Sequence, residues 1–229
     1  MQGPQQGKNM KLKRYKGNPV ISPNPENQWE KLVTTNPAAW YEKEEGKVYM
    51  LYRAAGDDHE HNIHLGLAVS DNGFDFERVS DSPVLSPLSG AIDGGAIEDP
   101  RIVKFGEWYY VTYASRPFKN GQYWGGGNHD KYAVRKESDL PAPFNSNSIG
   151  TCLAFTKDFR EWIRAGIMTS PDVHDHDVII FPEKIGGKFA VMHRPDFGDG
   201  EPLGIWLSLC NNPLRLDDSA LLANAEYDW

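Results

Sequence analysis

Short runs of apolar and aromatic residues recur along this chain, broken by turns rich in Gly, Asn and Asp, and nothing of comparable length shows a helical period. The pattern repeats three times. NPAAWYEKEEGKVYMLYRAA (Asn36 to Ala55) is followed by IHLGLAVSDNGFDFERV (Ile63 to Val79), and EDPRIVKFGEWYYVTYAS (Glu98 to Ser115) by IGTCLAFTKDFREWIRAG (Ile149 to Gly166). DVIIFPEKIGGKFAVMHRP (Asp177 to Pro195) is followed by PLGIWLSLCNNPLRL (Pro202 to Leu216). Self-similarity at this period marks a repeat architecture. Each unit carries hairpin turns at Glu45-Gly46, Gly106-Glu107 or Gly186-Gly187, and again at Asn72-Gly73, Lys157-Asp158 or Asn211-Asn212.

Four short antiparallel strands per unit predict an all-β chain whose units are blades of a β-propeller. A sandwich or barrel with accidental internal similarity is the alternative. The first strand of every unit opens on polar residues: Asn36-Pro37, Glu98-Asp99-Pro100, and Asp175 with Asp177. In a propeller the first strands line the central channel, so these positions are expected to converge on one concave polar site.

Two segments depart from the repeat. Arg116 to Ser148 forms a long Gly-, Pro- and Asn-rich connection within the second unit, expected to overhang the channel mouth. After Leu216 only DDSALLANAEYDW follows, which reads as a fourth unit barely begun. About three and a half blades are thus expected within a single propeller domain spanning 1–229, with closing blades missing, since an open propeller leaves an unpaired sheet edge.

Composition narrows the function classes. The 229 residues are 39% hydrophobic with a formal charge of -8, and no basic run offers a footprint for nucleic acid. The longest apolar run, Val48 to Tyr52, is far short of the ~20 residues that span a bilayer, so no membrane partner is expected. The opening MQGPQQGKNMKLKRYKG lacks the apolar stretch of a secretory signal, and a cytoplasmic location is expected. Cys152 and Cys210, the two cysteines, read as buried free thiols. His59, His61 and His64, and His174 with His176 about Asp175, fit no dedicated metal spacing and read as polar turns.

The ordered set NPAA, LYRA, EDPRI, DVIIFPEKI and HRP resembles glycoside hydrolase family 130, from Gly17 onward. The resemblance implies a five-bladed propeller that cleaves β-mannosides with inversion, usually passing the mannosyl unit to inorganic phosphate as co-substrate, with no other cofactor. It implies that Asp99 is the general acid, its proton passing through a sugar hydroxyl. Asn36, Arg53 and Asp177 resemble the residues that hold the mannosyl ring, and Glu98 and Trp124 are further substrate-binding candidates. Trp40, Tyr113 and Trp124 are candidate platforms for the apolar ring face.

A phosphorylase needs cations for its anionic co-substrate. Arg194, His193, Lys184 and Arg164 are the candidates. Where the resemblance implies an Arg just before the CLA segment, this chain has Gly150 and Thr151. Arg116 or Arg135 is a possible substitute. The missing cation keeps a β-mannosidase on the same scaffold as an alternative, and a non-catalytic sugar-binding propeller is the reading from another class. Relatives that assemble make a homo-oligomer an open expectation.

Overall fold

The computed structural model describes residues 12–119, 139–198, 204–216 and 218–224. Among the described residues the regular secondary structure is strand, apart from one 3-10 turn at Ala142–Ser146. Three four-stranded antiparallel sheets follow one another along the chain. Blade 1 comprises β1 (Val33–Glu42), β2 (Lys47–Ala55), β3 (Ile63–Ser70) and β4 (Glu77–Arg78). Blade 2 comprises β5 (Ala96–Phe105), β6 (Trp108–Arg116), β7 (Gly150–Thr156) and β8 (Ile163–Ile167). Blade 3 comprises β9 (His174–Ile180), β10 (Phe189–Asp196), β11 (Gly204–Cys210) and β12 (Ala220–Asn224). The strands of each blade are hydrogen-bonded in chain order, the arrangement of propeller blades.

One expectation about the end of the chain is corrected. Ala220–Asn224, read as the start of a fourth unit, pairs antiparallel with β11 and completes blade 3. The preceding Leu214 and Leu216, expected to be strand, instead pack from a loop against the core between blades 2 and 3. The outer edge of β11 carries backbone groups that need partners, and β12 supplies them.

The core lies between the blades. Ala38, Leu51 and Leu67 of blade 1 meet Ile102, Tyr109 and Val111 of blade 2, with Phe159 beneath them. Val103 and Leu153 of blade 2 meet Val178, Ile180 and Val191 of blade 3. Strand alternation points one set of side chains toward each neighbouring blade, and burying each large aliphatic contributes about 1.5–3 kcal/mol. Polar ties cross the same interfaces. Thr112 Oγ1 donates to the Val178 carbonyl at 2.7 Å. Lys104 and the Tyr109 hydroxyl both donate to the buried Glu42 carboxylate, and together they hold it below the usual carboxylate range.

A second device repeats in blades 1 and 2. The buried Tyr52 hydroxyl donates to Glu30 at 3.0 Å, and Arg78 on β4 binds both Glu30 oxygens at 2.9 and 3.0 Å and the Ser22 carbonyl at 2.5 Å. The buried Tyr113 hydroxyl donates to Asp93 at 2.9 Å, while Arg164 on β8 binds Asp93 and the Ser86 carbonyl. In both blades the second and the outermost strands are thereby clamped to the segment that enters the blade. Burial first, and then the neighbouring negative charges, push both tyrosine hydroxyls far above their ordinary range. The entering segments share a signature, Pro19-Val20-Ile21-Ser22-Pro23 and Pro83-Val84-Leu85-Ser86-Pro87.

Candidate active site where the first strands converge

All three first strands bulge at the same place. Residues 36–37 stand opposite Tyr52, 99–100 opposite Tyr113, and 177–178 opposite His193, two residues against one in each pair of strands. The leading residue of every bulge is left-handed: Asn36 at φ 43°, Asp99 at 50° and Asp177 at 60°. Asn and Asp tolerate this conformation better than other residues with a Cβ, which explains their presence here. Pro37 and Pro100 follow at positions where the ladder is interrupted and a missing N–H costs little. The bulge turns each leading side chain out of the strand's alternation and toward its counterparts.

The three leading residues are connected. Asn36 Nδ2 donates to Asp99 Oδ1 at 2.8 Å, and Arg53 Nη1 donates to the same oxygen at 3.0 Å and to Glu98 Oε2 at 2.9 Å. Arg101 Nη1 donates to the Asp99 and Pro100 carbonyls at 3.0 and 2.9 Å, and its Nη2 lies 3.5 Å from Asp177 Oδ1. Arg194 Nη2 donates to Asp177 Oδ2 at 2.7 Å and to His176 Nε2 at 2.5 Å. Blade 1 thus supplies donors to the carboxylate of blade 2, and blade 2 to that of blade 3. Burial by itself would raise the Asp177 carboxyl, but Arg194, His176 and Arg101 outweigh it and hold the group below the usual carboxylate range.

Asp99 is asymmetric. Both donors go to Oδ1, and Oδ2 has no partner among the described residues, although the side chain is only 20% exposed. A carboxyl held by one oxygen and open at the other presents a defined atom for proton transfer. Around it stand an amide, two further carboxylates and three guanidinium groups, which together pair with vicinal hydroxyls or with an anion.

Asn36, Arg53, Glu98, Asp99, Asp177 and Arg194 therefore meet in one place. The other expected phosphate ligands do not, and those assignments are corrected. His193 is buried, with Nδ1 at 2.7 Å from Asp175 Oδ2 and Nε2 at 3.1 and 3.3 Å from the Ser219 and Ser208 hydroxyls, so both ring nitrogens are engaged inside blade 3. Lys184 lies in the turn joining β9 to β10, at the end of the blade remote from Asp177, with its ammonium over the Phe189 ring at 4.3 Å. Arg164 sits on the outermost strand of blade 2 and is committed to Asp93. Trp40 and Tyr113, expected as sugar platforms, belong to the core, Trp40 edge-on to Tyr109 and Tyr113 tied to Asp93. Trp124 and Arg135 lie outside the described residues, as does most of the long connection. Its described ends leave β6 and enter β7 at the end of blade 2 that carries Asp99, and Arg116 there donates to the Asn147 carbonyl at 2.9 Å.

Two residues of the site escaped the sequence reading. Arg101 lies inside the EDPRI motif, two positions beyond Asp99, and His176 immediately precedes Asp177. A register signal was available: Arg53 stands opposite Thr35 and Arg194 opposite His176, each just before the bulge, while blade 2 has Ala114 opposite Glu98. Blade 2 lacks an Arg at that position and carries Arg101 instead.

Comparison with known proteins agrees with this architecture. Residues 9–224 match the family model of glycoside hydrolase family 130, described as beta-1,4-mannooligosaccharide phosphorylase. The chain is 34% identical, over 81% of its length and 54% of the relative's, to a 1,2-beta-oligomannan phosphorylase of Thermoanaerobacter sp. strain X514. It is 29% identical to a beta-1,2-mannobiose phosphorylase of the same strain, over 80% of this chain and 54% of that protein. Among solved structures, the beta-1,2-mannobiose phosphorylase of Listeria innocua in complex with beta-1,2-mannobiose superposes with a TM-score of 0.67 at 20% identity, covering 92% of this chain and 65% of that one. The chain spans about half the length of the curated relatives it matches.

Proposed function

Because the chain belongs to glycoside hydrolase family 130, we propose that it carries the active site of an inverting phosphorylase acting on β-mannosides, with Asp99 as proton donor and inorganic phosphate as co-substrate. The observation that carries this reading is the Asp99 carboxyl, fixed at Oδ1 by Asn36 and Arg53 and open at Oδ2. The proton leaves Oδ2 for the glycosidic oxygen, relayed through a sugar hydroxyl, as the anomeric carbon gains positive character. Phosphate attacks that carbon from the opposite face, the glycosidic C–O bond breaks, and the β-mannoside becomes α-mannose 1-phosphate and a shortened acceptor. Across the cycle, the proton that hydrogenphosphate carries replaces the one Asp99 donates. Asn36, Arg53 and Asp177 hold the ring hydroxyls.

Arg101 and Arg194 favour phosphate over water as the attacking group, since phosphate is already an anion and needs cations rather than a second base. They compensate for the Arg that Gly150 and Thr151 replace. Gly150 and Thr151 are tied into blade structure, the Thr151 hydroxyl donating to the Asp175 carbonyl at 3.1 Å, and this favours hydrolysis as the second reading. The names of the two relatives support a β-1,2 linkage. The test is to incubate β-1,2- and β-1,4-mannobiose with and without inorganic phosphate. Mannose 1-phosphate should form from the β-1,2 isomer only when phosphate is present; free mannose at the same rate without phosphate would replace phosphorolysis with hydrolysis. Asp99→Asn should lower turnover by about 10²- to 10⁴-fold with the melting temperature nearly unchanged.

A further inference from the structure

Asp99 shares its cation with its neighbour. Arg53 Nη1 lies 3.0 Å from Asp99 Oδ1 and 2.9 Å from Glu98 Oε2, so a single guanidinium nitrogen bridges two consecutive carboxylates. Consecutive strand residues ordinarily face opposite sides of a sheet. The left-handed turn at Asp99 breaks that alternation and brings both to one nitrogen.

An arginine paired with Asp99 alone would favour the ionised carboxylate, the wrong state for a proton donor near neutral pH. With Glu98 ionised, the three groups carry a net charge of -1 when Asp99 is ionised and 0 when it is protonated, since Arg53 contributes +1. Without the Glu98 charge those sums become 0 and +1, and the preference reverses. Among the described residues, the remaining groups that face Asp99 do not supply this compensation. Asn36 of β1 is a neutral donor. Arg101 of β5 donates to the Asp99 carbonyl and turns its other nitrogen toward Asp177 of β9, which Arg194 of β10 and His176 of β9 also hold.

We infer that Glu98 is a positioning residue that acts through Arg53, taking up its charge so that Asp99 can carry a proton. Glu98 thereby has a role other than direct sugar binding. The inference rests on Asp99 being the proton donor of the proposed reaction.

The test follows the Asp99 carboxyl carbon by 13C NMR across pH in the full chain, its resonance assigned with Asp99→Asn. Glu98→Gln should move the titration midpoint down by about one pH unit, and the basic limb of kcat/KM for β-1,2-mannobiose with inorganic phosphate should move with it. Glu98→Asp keeps the charge and should retain the wild-type midpoint. Arg53→Gln should raise the midpoint, and it carries the test if Glu98→Gln does not fold. A Glu98→Gln midpoint equal to or above that of the wild type overturns the inference, as does a lowered or unmoved midpoint in Arg53→Gln. A uniform loss of kcat/KM with an unmoved midpoint also overturns it, leaving Glu98 a sugar or structural ligand. If the wild type releases no mannose 1-phosphate yet the midpoints move as described, the charge coupling stands and the phosphorylase reading fails.

Discussion

Blades 1 and 2 brace the strand opposite their bulges with the same clamp, a buried tyrosine, a carboxylate from the entering segment and an arginine from the outermost strand. Blade 3 braces its own with His193, held by Asp175 of its innermost strand and by Ser208 and Ser219. The leading residue of the bulge is left-handed in all three. The geometry that turns a polar side chain inward is therefore common property, while its support is exchangeable. The difference also has a local consequence in blade 3. Asp175 Oδ1 accepts the Arg194 backbone N–H at 3.1 Å, so the histidine network directly seats the strand that carries Arg194 into the site.

The largest effect should come from breaking a clamp. Arg164→Leu leaves the buried Asp93 carboxylate without its cation and should cost about 3–5 kcal/mol, a fall in melting temperature of roughly 10 °C. Arg78→Leu should do the same through Glu30. At a temperature where Arg164→Leu is still folded, its apparent KM for phosphate should match the wild type, whereas a phosphate ligand at this position would raise it. His193→Phe removes one hydrogen-bond partner from buried Asp175 and should cost less, about 2 kcal/mol by chemical denaturation. Equal losses for Arg164→Leu and His193→Phe would erase the distinction between the two kinds of support.

Smaller effects test the bulges themselves. Asn36→Ala and Asn36→Gly both lose the bond to Asp99, but glycine accepts the left-handed conformation, so the Gly variant should be about 1 kcal/mol the more stable. Asp177 should give the mildest signal, one confined to acid. Its folded-state pKa lies below the unfolded value, so its contribution is fully present above the ordinary carboxylate range and is lost as pH falls through the depressed value. Acid titration of stability should therefore show a shallower low-pH decline in Asp177→Asn than in the wild type.

Much of this was legible along the chain. Hairpin turns between aromatic and β-branched runs marked the strands, and the leading Asn36, Asp99 and Asp177 marked the places where the blades converge. What misled was charge. Arg164, Lys184 and His193 stand in motifs beside the right strands, but a motif reports which blade a residue belongs to and not which end or face of it. Lys184 is near Asp177 in sequence and remote from it in space, because a strand carries its two ends apart at about 3.3 Å per residue. The clamp was equally missed, although Pro19–Pro23 and Pro83–Pro87 repeat almost letter for letter, because its members are spread over three separate segments of each blade.

By itself, then, the sequence determined the repeat, the strands and the polar residue that leads each blade, since these depend on local periodicity and on turn chemistry that neighbouring residues decide among themselves. Only the tertiary structure decided which cations belong to the site and which to the clamps, and that Arg53 would serve Glu98 and Asp99 together. The Arg53 pairings join different blades and the clamps join separate segments of one blade, so the partners follow from packing and from the left-handed bulges that redirect the side chains, neither of which leaves a periodic trace in the chain.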